Sequence, residues 1–252
     1  MTSISNNSPL ISVVMPLYNC ESYVGDSILS VINQTFTNWE LIICDDCSTD
    51  NSYSIAQSFS IIDARIKVIK NDVNSGTAVA RNNALNIAKG QFIAFLDSDD
   101  LYDPVFMQKQ LAFIGNKQFI FCSFRRKASN SVTNYVVPKT ATYRRILKGS
   151  CLTPLSVFIS RDLIGDIRFL PSSKVEDFVF FCELLKKCKH AYGNQEVLAT
   201  YRIVPNSKSR NKKALIKKMW NVYHRELGIN TIFSLFYLTC WAIHGVYKYR
   251  NV

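Results

Sequence analysis

An α/β fold built on a mostly parallel sheet, with a basic and apolar helical segment appended at its C-terminal end, is what this 252-residue sequence predicts. Three observations carry that expectation. Short apolar runs alternate with amphipathic stretches about every 25 residues through the first hundred positions, the pattern of strands joined by helical crossovers. Acidic residues gather directly behind two of the apolar runs. The net charge of +11 is also uneven: residues 1–199 hold 20 basic and 18 acidic residues, residues 200–252 ten basic and one acidic. An apolar fraction of 48% excludes wholesale disorder, and only nine Gly and seven Pro exclude collagen-like and low-complexity classes. The length suits one domain over residues 1–204, with halves 1–105 and 106–204, and an appendage over 205–252.

The elements follow in order. Ile11-Ser12-Val13-Val14-Met15-Pro16 reads as a buried strand stopped by proline. Glu21 to Gln34 places Val24, Ile28, Val31 and Ile32 on one helical face. Trp39 to Cys44 is a second strand. Ser48-Thr49-Asp50-Asn51-Ser52 is rich in capping residues and opens a helix through Ile62. Arg65 to Lys70 is a third strand, Thr77 to Ala88 a helix ended by Gly90, and Gln91 to Leu96 a fourth strand running into Asp97-Ser98-Asp99-Asp100. Beyond Pro104 the alternation loosens. Phe119 to Phe124, Val132 to Val137 and Leu155 to Ile159 read as strands, and Val197 to Val204 as extended chain. Tyr143 to Lys148, Glu176 to Cys188 and Thr231 to Tyr249 read as helices.

The first nine residues lack a basic region, and Leu10 to Leu17 is short and contains Pro16, so no secretory signal is read there. The expected compartment is the reducing cytosol, where the eight cysteines stay unpaired. Cys44 and Cys47 form a lone C-x-x-C. A zinc site needs a second ligand pair that the sequence does not show, and a redox dithiol is the weaker alternative to two small apolar residues at a strand end.

The chemistry lies in the acids. Asp45 and Asp46 follow the second strand; Asp97, Asp99 and Asp100 follow the fourth. In an open parallel sheet ligands bind beyond the carboxyl ends of the strands, so both clusters are expected at one crevice with Tyr18 and Asn19. Crowded carboxylates repel unless a cation sits among them, and Mg²⁺ or Mn²⁺ bridging a diphosphate meets that need. The alternative, Asp residues capping turns, would prevail for one isolated D-x-D. Neither a Walker loop nor G-x-G-x-x-G is present, which disfavours ordinary ATPase and dinucleotide sites.

Val13-Val14-Met15-Pro16-Leu17-Tyr18-Asn19, Asp45-Asp46-Cys47-Ser48-Thr49-Asp50, Asn74-Ser75-Gly76 with Ala80-Arg81-Asn82, and Phe95-Leu96-Asp97-Ser98-Asp99-Asp100 together resemble glycosyltransferase family 2. The resemblance is dense over residues 1–105 and thinner to about residue 210. It implies a GT-A fold with a Rossmann-like sheet, a nucleotide-sugar donor, UDP-linked, and a divalent metal. It further implies that Pro16, Tyr18 and Asn19 line the nucleoside pocket and that Asp46 accepts from the base. Arg81 approaches the diphosphate, with a solvated helix charge as its alternative. Asp97 and Ser98 contact the donor, and Asp99 joins Asp97 at the metal. Cys47 stands where relatives often carry glycine.

Lys174-Val175-Glu176-Asp177-Phe178 resembles the family's Glu-Asp motif at a helix start. The resemblance implies Asp177 as general base of an inverting transfer and Glu176 as the group that positions the acceptor. A plain helix-dipole partner is the alternative for both. Tyr201-Arg202-Ile203-Val204-Pro205-Asn206-Ser207-Lys208-Ser209 resembles a loop over the donor, which makes Arg202 and Ser207 candidate diphosphate contacts beside the alternative of a solvated loop. Val204 stands where relatives often carry histidine; His190, His224 and His244 read as structural or surface residues.

Thr231 to Tyr247 contains no Asp, Glu, Lys or Arg and is bordered by basic residues on both sides. At 17 residues it is at the short limit for a bilayer core of about 30 Å, so a helix lying in the interface of an anionic membrane is expected, ahead of a helix packed on the domain. A nucleic-acid partner is disfavoured, because the cations adjoin an apolar helix. The expected enzyme transfers a sugar to a saccharide acceptor, lipid-linked, for surface polysaccharide, in the cytoplasm on the inner face of the plasma membrane. A non-catalytic sugar-nucleotide-binding module and a nucleotidyltransferase are the alternatives.

Overall fold

The computed structural model describes residues 9–203 and 212–249. The first half alternates as expected: β1 Ile11–Leu17, α1 Val24–Ile32, β2 Trp39–Asp45, α2 Ser52–Ile62, β3 Ile66–Lys70, α3 Thr77–Ile87 and β4 Phe92–Phe95. The second half is more broken: β5 Leu101–Tyr102, α4 Phe106–Ile114, β6 Phe119–Ala128, β7 Ser131–Tyr135, β8 Thr140–Thr142, α5 Tyr143–Lys148, β9 Val157–Ser160, α6 Arg161–Ile164, α7 Glu176–Cys188 and β10 His190–Arg202. Then come α8 Lys212–Asn221, a π turn Val222–Glu226, and α9 Thr231–Tyr249.

The strands form one sheet in the order β3-β2-β1-β4-β9-β6-β10-β5, with β7 pairing β6 and β8 pairing β10. Neighbours β3-β2-β1-β4 run parallel. β9 is antiparallel to both β4 and β6, and β10 is parallel to β6. All strands on this path except β9 and β5 therefore point one way. Side chains alternate across the sheet. Val13, Met15, Leu41 and Ile43 face one core with α1 and α4, while Val14, Ile42 and Cys44 face the other with α3 and α7. Burial on both faces is why these strands read as unbroken apolar runs.

Several boundaries differ from expectation for identifiable reasons. The helices expected from Glu21 and from Ser48 begin at Val24 and Ser52 instead. The capping residues stitch the two loops together: Ser48 Oγ accepts from Asn19 N, Asp50 Oδ2 from Glu21 N, Ser52 Oγ from Cys20 N, and Asn19 Oδ1 from Thr49 N. Pro154–Ser156 is a 3-10 turn, so that strand starts at Val157 rather than Leu155. β10 begins seven residues before Val197, hidden in sequence by the polar run Gly193-Asn194-Gln195-Glu196. Gly193 is needed there, because a Cβ would lie 2.0 Å from the Pro138 carbonyl oxygen. α4, α6, α8, β5 and β8 went unread.

One buried charge is built into the sheet. Glu40 of β2 accepts from Ser12 Oγ at 2.6 Å, Lys67 Nζ at 2.6 Å and Lys89 N at 2.7 Å. Burial alone would raise its pKa, but these three donors outweigh it and hold the carboxyl below the usual range.

Candidate functional site: a cleft at the switch point of the sheet

The chain winds outward from β1 through β2 to β3, then returns to place β4 on the other side of β1. The loops leaving β1 and β4 therefore diverge, and a crevice opens at their carboxyl ends. Here lies a cleft of about 970 Å³ lined by Pro16 to Cys20, Tyr23, Asp46, Asn74, Gly76, Thr77, Ala80, Arg81, Asp97, Ser98, Asp99 and Glu176. That is at the upper end of the ordinary range for small-molecule pockets.

Pro16, Tyr18 and Asn19 border the cleft as expected. Tyr18 is 46% exposed, leaving its ring face open. Asn19 takes the left-handed conformation (φ 45°), held by its bonds to Ser48 and Thr49. Asp46 is buried and accepts three bonds: from Asn71 Nδ2 at 2.8 Å, Ser75 N at 2.9 Å and Gly76 N at 2.7 Å. Gly76 supplies its amide from φ 90°, a conformation that side chains resist. The Asn74-Ser75-Gly76 turn is thus tied to Asp46. An ionised carboxylate has about four lone-pair sites, so one remains for a ligand.

Arg81 is the hinge of the arrangement. It projects from α3, is 4% exposed, and donates from Nη2 to Asp97 Oδ1 at 2.6 Å. Its Nη1 lies 3.5 Å from Glu176 Oε1, and its Nε is buried without a partner. The guanidinium also stands over the Phe169 ring at 5.3 Å. Burial disfavours the guanidinium charge, but Asp97, Asp177 and Glu176 outweigh it and keep the group protonated.

Glu176 and Asp177 form the first turn of α7, where the helix dipole favours acids. Glu176 reaches the cleft lining; Asp177 stands just behind, with Oδ1 accepting from Phe178 N at 2.8 Å. Burial raises the Asp177 pKa, Arg81 opposes the rise, and Glu176 adds to it.

The expectation that both whole acidic clusters face the crevice needs correction. Asp45 is fully buried and its Oδ2 accepts from Ser48 N at 3.1 Å. Asp100 is buried and its Oδ1 accepts from Arg202 N at 2.9 Å. Only Asp46, Asp97 and Asp99 of the five line the cleft: Asp45, the last residue of β2, turns to the side opposite Asp46, and Asp100 is held by the Arg202 amide at the end of its turn. Burial, then the Asp97 charge, push the Asp99 carboxyl up, with Arg202 partly restoring it. Such a pair of hard, mutually repelling oxygen donors fits a divalent cation. Among the described residues no group of three or more His, Cys, Asp or Glu is placed to hold a metal. Asp97 and Asp99 are the two neighbouring acids of the cleft that could hold such a cation.

Arg202 is not brought to the cleft. Its guanidinium donates to the Asp99 carbonyl, to Asp26 Oδ2 at 3.0 Å, to the Tyr23 carbonyl at 3.1 Å and to Ser27 Oγ at 2.9 Å. It lies 5.0 Å above the Tyr23 ring. The side chain clamps the Asp97–Asp100 turn to α1 instead of reaching for a diphosphate. Arg202→Met is expected to lower stability by about 2 kcal/mol, discounted for the exposed Asp26 partner. Urea unfolding checks this; a loss below about 0.5 kcal/mol would show that the clamp contributes nothing. Ser207 and His244 lie outside the residues whose side chains are described.

Sequence reasoning missed Asn71, Cys20, Tyr23 and Asp26. Their only signal is proximity in space. The C-x-x-C cysteines are both free thiols: Cys44 Sγ meets Asn71 Oδ1 at 3.4 Å, and Cys47 Sγ the Asp72 carbonyl at 3.7 Å. Burial, then Asp46 and Asp45, push the Cys44 thiol up to about 12, an unreactive state.

A family model described as Glycosyl transferase family 2 matches residues 12–178. The chain is 40% identical over 225 residues to TuaG of Bacillus subtilis (strain 168), a protein named for teichuronic acid biosynthesis, with 87% of this chain and 89% of that one covered. It is 35% identical over 244 residues to the Escherichia coli UDP-Glc:alpha-D-GlcNAc-diphosphoundecaprenol beta-1,3-glucosyltransferase WfgD, with 95% of each covered. A crystal structure of S. aureus TarS residues 1–349 in complex with UDP matches its fold with a TM-score of 0.71 at 23% identity, over 90% of this chain and 69% of that one. The fold is thus the GT-A architecture that the motifs implied. With the family model spanning both strand-end acid clusters and the Glu176-Asp177 turn, the chain belongs to glycosyl transferase family 2.

Proposed function

We propose that this glycosyltransferase moves a sugar, with inversion, from a UDP-sugar to a lipid-linked saccharide acceptor in the synthesis of a surface polysaccharide. The observation that carries the reading is the buried Arg81, which joins Asp97 of the donor side to Glu176 of the acceptor side in one cleft. Residues 1–105 serve as the nucleotide half, 106–204 as the acceptor half, and 205–252 as an appendage. The relatives support the substrate classes: WfgD by name uses UDP-Glc and a diphosphoundecaprenol-linked acceptor.

In this reading the nucleoside lies against Pro16, Tyr18 and Asn19, with the free lone pair of Asp46 turned to the base. Ser98 and Asp97 contact the donor. Asp97 and Asp99 would hold Mg²⁺ or Mn²⁺, which when bound would supply positive charge to offset that of the diphosphate leaving group. Arg81 maintains positive charge beside that group as the sugar bond breaks. Glu176 positions the acceptor hydroxyl. Asp177 takes its proton as the oxygen attacks the anomeric carbon from the face opposite the diphosphate. The products are the extended glycan and UDP. The reaction takes place in the cytoplasm, at the inner face of the plasma membrane, where such an acceptor resides.

The test is a panel of UDP-sugars with a short-chain lipid-diphosphate-linked GlcNAc, with and without Mg²⁺ or Mn²⁺, followed by NMR of the product anomer. A metal-stimulated product of inverted configuration is expected. Retained UDP binding with neither transfer nor donor hydrolysis would instead favour a non-catalytic sugar-nucleotide-binding module.

A further inference from the structure

α9 is apolar on two opposite faces. One face, Ser234, Tyr237, Leu238 and Trp241, turns inward: Ser234 is fully buried, and the other three pack on the core beside α7. The opposite stripe, Ile232, Leu235, Phe236 and Ile243, repeats at helical spacing and faces outward, with Ile232 78% and Ile243 54% exposed. Phe233 widens it. A helix packed on a domain ordinarily turns polar residues to water. Here no Asp, Glu, Lys or Arg occurs from Thr231 to Tyr247, so the outward face has no charge of its own. An exposed apolar patch of this kind marks a surface that meets another phase or another molecule.

Its rim identifies what it meets. α5 and α8 pack against α9. α5 presents Arg144, Arg145 and Lys148 to solvent, and Lys148 Nζ stands 5.6 Å from the Phe236 ring centre. α8 adds exposed Lys217 beside exposed Ile216. α5, α8 and α9 contain no acidic residue at all. The cations thus come from two places in the chain, the catalytic domain and the appendage, and meet only in the fold.

We infer that the α5–α8–α9 face is a docking surface for an anionic lipid bilayer. Ile232, Leu235, Phe236 and Ile243 enter the headgroup boundary, and Arg144, Arg145, Lys148 and Lys217 sit over lipid phosphates. A second copy of the chain is the poorer occupant, because a two-fold contact lays the same patch on itself and sets these cations against their own copies. Nucleic acid would leave the apolar stripe uncovered. Among the described residues no helix is long and apolar enough to cross a membrane, so α9 lies in the plane of the surface. This inference rests on the membrane part of the proposed function and gives it a surface with named contacts.

The experiment is co-sedimentation of the full chain with sucrose-loaded vesicles, without donor or acceptor. Vesicles of phosphatidylglycerol mixed with phosphatidylcholine should pellet the protein, and pure phosphatidylcholine should pellet far less. Replacing Arg144, Arg145 and Lys148 together by Gln should weaken binding about 100-fold, roughly five-fold for each cation. Ile232→Ser with Leu235→Ser should abolish it. Each variant should keep the parent circular dichroism, because the changed side chains face solvent. Three results would overturn the inference: no pelleting of the parent with anionic vesicles, undiminished binding by the triple variant, or a parent dimer that the serine pair dissociates in analytical ultracentrifugation while vesicles stay bare. Because binding is scored without substrates, failure here leaves the transferase reading intact, and failed transfer leaves this surface intact.

Discussion

Asp177→Asn should reduce transfer by about 10²–10⁴-fold while UDP binding, measured by calorimetry, stays within about three-fold of the parent. An amide keeps the shape and the acceptor for the Phe178 amide proton, but it cannot take a proton from the acceptor hydroxyl. Loss of activity through unfolding is separable from this. Burial raises the Asp177 pKa against the opposing charge of Arg81, so the ionised carboxylate is held in the fold at a penalty. The sign follows: a carboxyl raised in the folded state favours folding when protonated and opposes it as pH climbs through that pKa. The neutral amide lifts the penalty, so the variant should melt no lower than the parent at neutral pH. In the parent, kcat/KM should rise with pH along an acid limb whose midpoint lies above the ordinary aspartate value of 3.8. Near-parent turnover by Asp177→Asn would remove the residue from the role of base.

Arg81→Met is expected to act on both binding and stability. The substitution leaves Asp97, Glu176 and Asp177 facing one another with no buried cation. Stripping one partner from a buried ionic cluster costs about 3–5 kcal/mol, and the lower figure applies because the Asp97 and Glu176 side chains retain 30% and 22% exposure. UDP affinity should fall by at least about ten-fold, since positive charge beside the diphosphate is lost. Arg81→Lys should recover part of the stability and little of the activity, because one ammonium cannot fork between Asp97 and Glu176. Thermal melts with UDP titration decide it. An Arg81→Met protein with parental melting temperature and parental UDP affinity would show that the bridge is incidental.

Most of the nucleotide half was legible because its signals are local. β1, β2 and β4 are buried on both faces, so each appears as an apolar run, whereas β3 lies at the sheet edge, is only partly buried and mixes lysine with its apolar residues. The Asp97-Ser98-Asp99 turn and the Glu176-Asp177 helix start are short segments whose residue types reveal their chemistry. The second half was harder. β10 threads through Gly193-Asn194-Gln195-Glu196, and its register against β6 shifts twice, which breaks the period-two pattern. β5 is two residues long and exists only because β10 is beside it.

Arg202 shows where local reading fails. By sequence it lies in a stretch resembling loops that cover donors, and a long cation there suggests a phosphate. In the fold its four donor contacts go to α1 and to the turn carrying Asp99. Asp45 and Asp46 are adjacent and chemically identical, yet one is packed inside and the other lines the cleft. Strand alternation separates them, and only the register of β2 says which is which.

By itself, the sequence determined the alternating α/β architecture, the family, the acids at the strand ends and the segregation of charge to the last fifty residues. Each is written in neighbours along the chain: periodicity, motif spacing and composition. The tertiary structure alone decided which acids share the cleft, that Arg81 ties the two halves together, that Arg202 points away, and that cations of α5 join the apolar face of α9. Those facts rest on contacts between residues 16 to 179 positions apart, and no local pattern encodes a distance across the fold. The +11 charge is the clearest case: its place along the chain was countable, but the surface it forms exists only once α5, α8 and α9 are packed together.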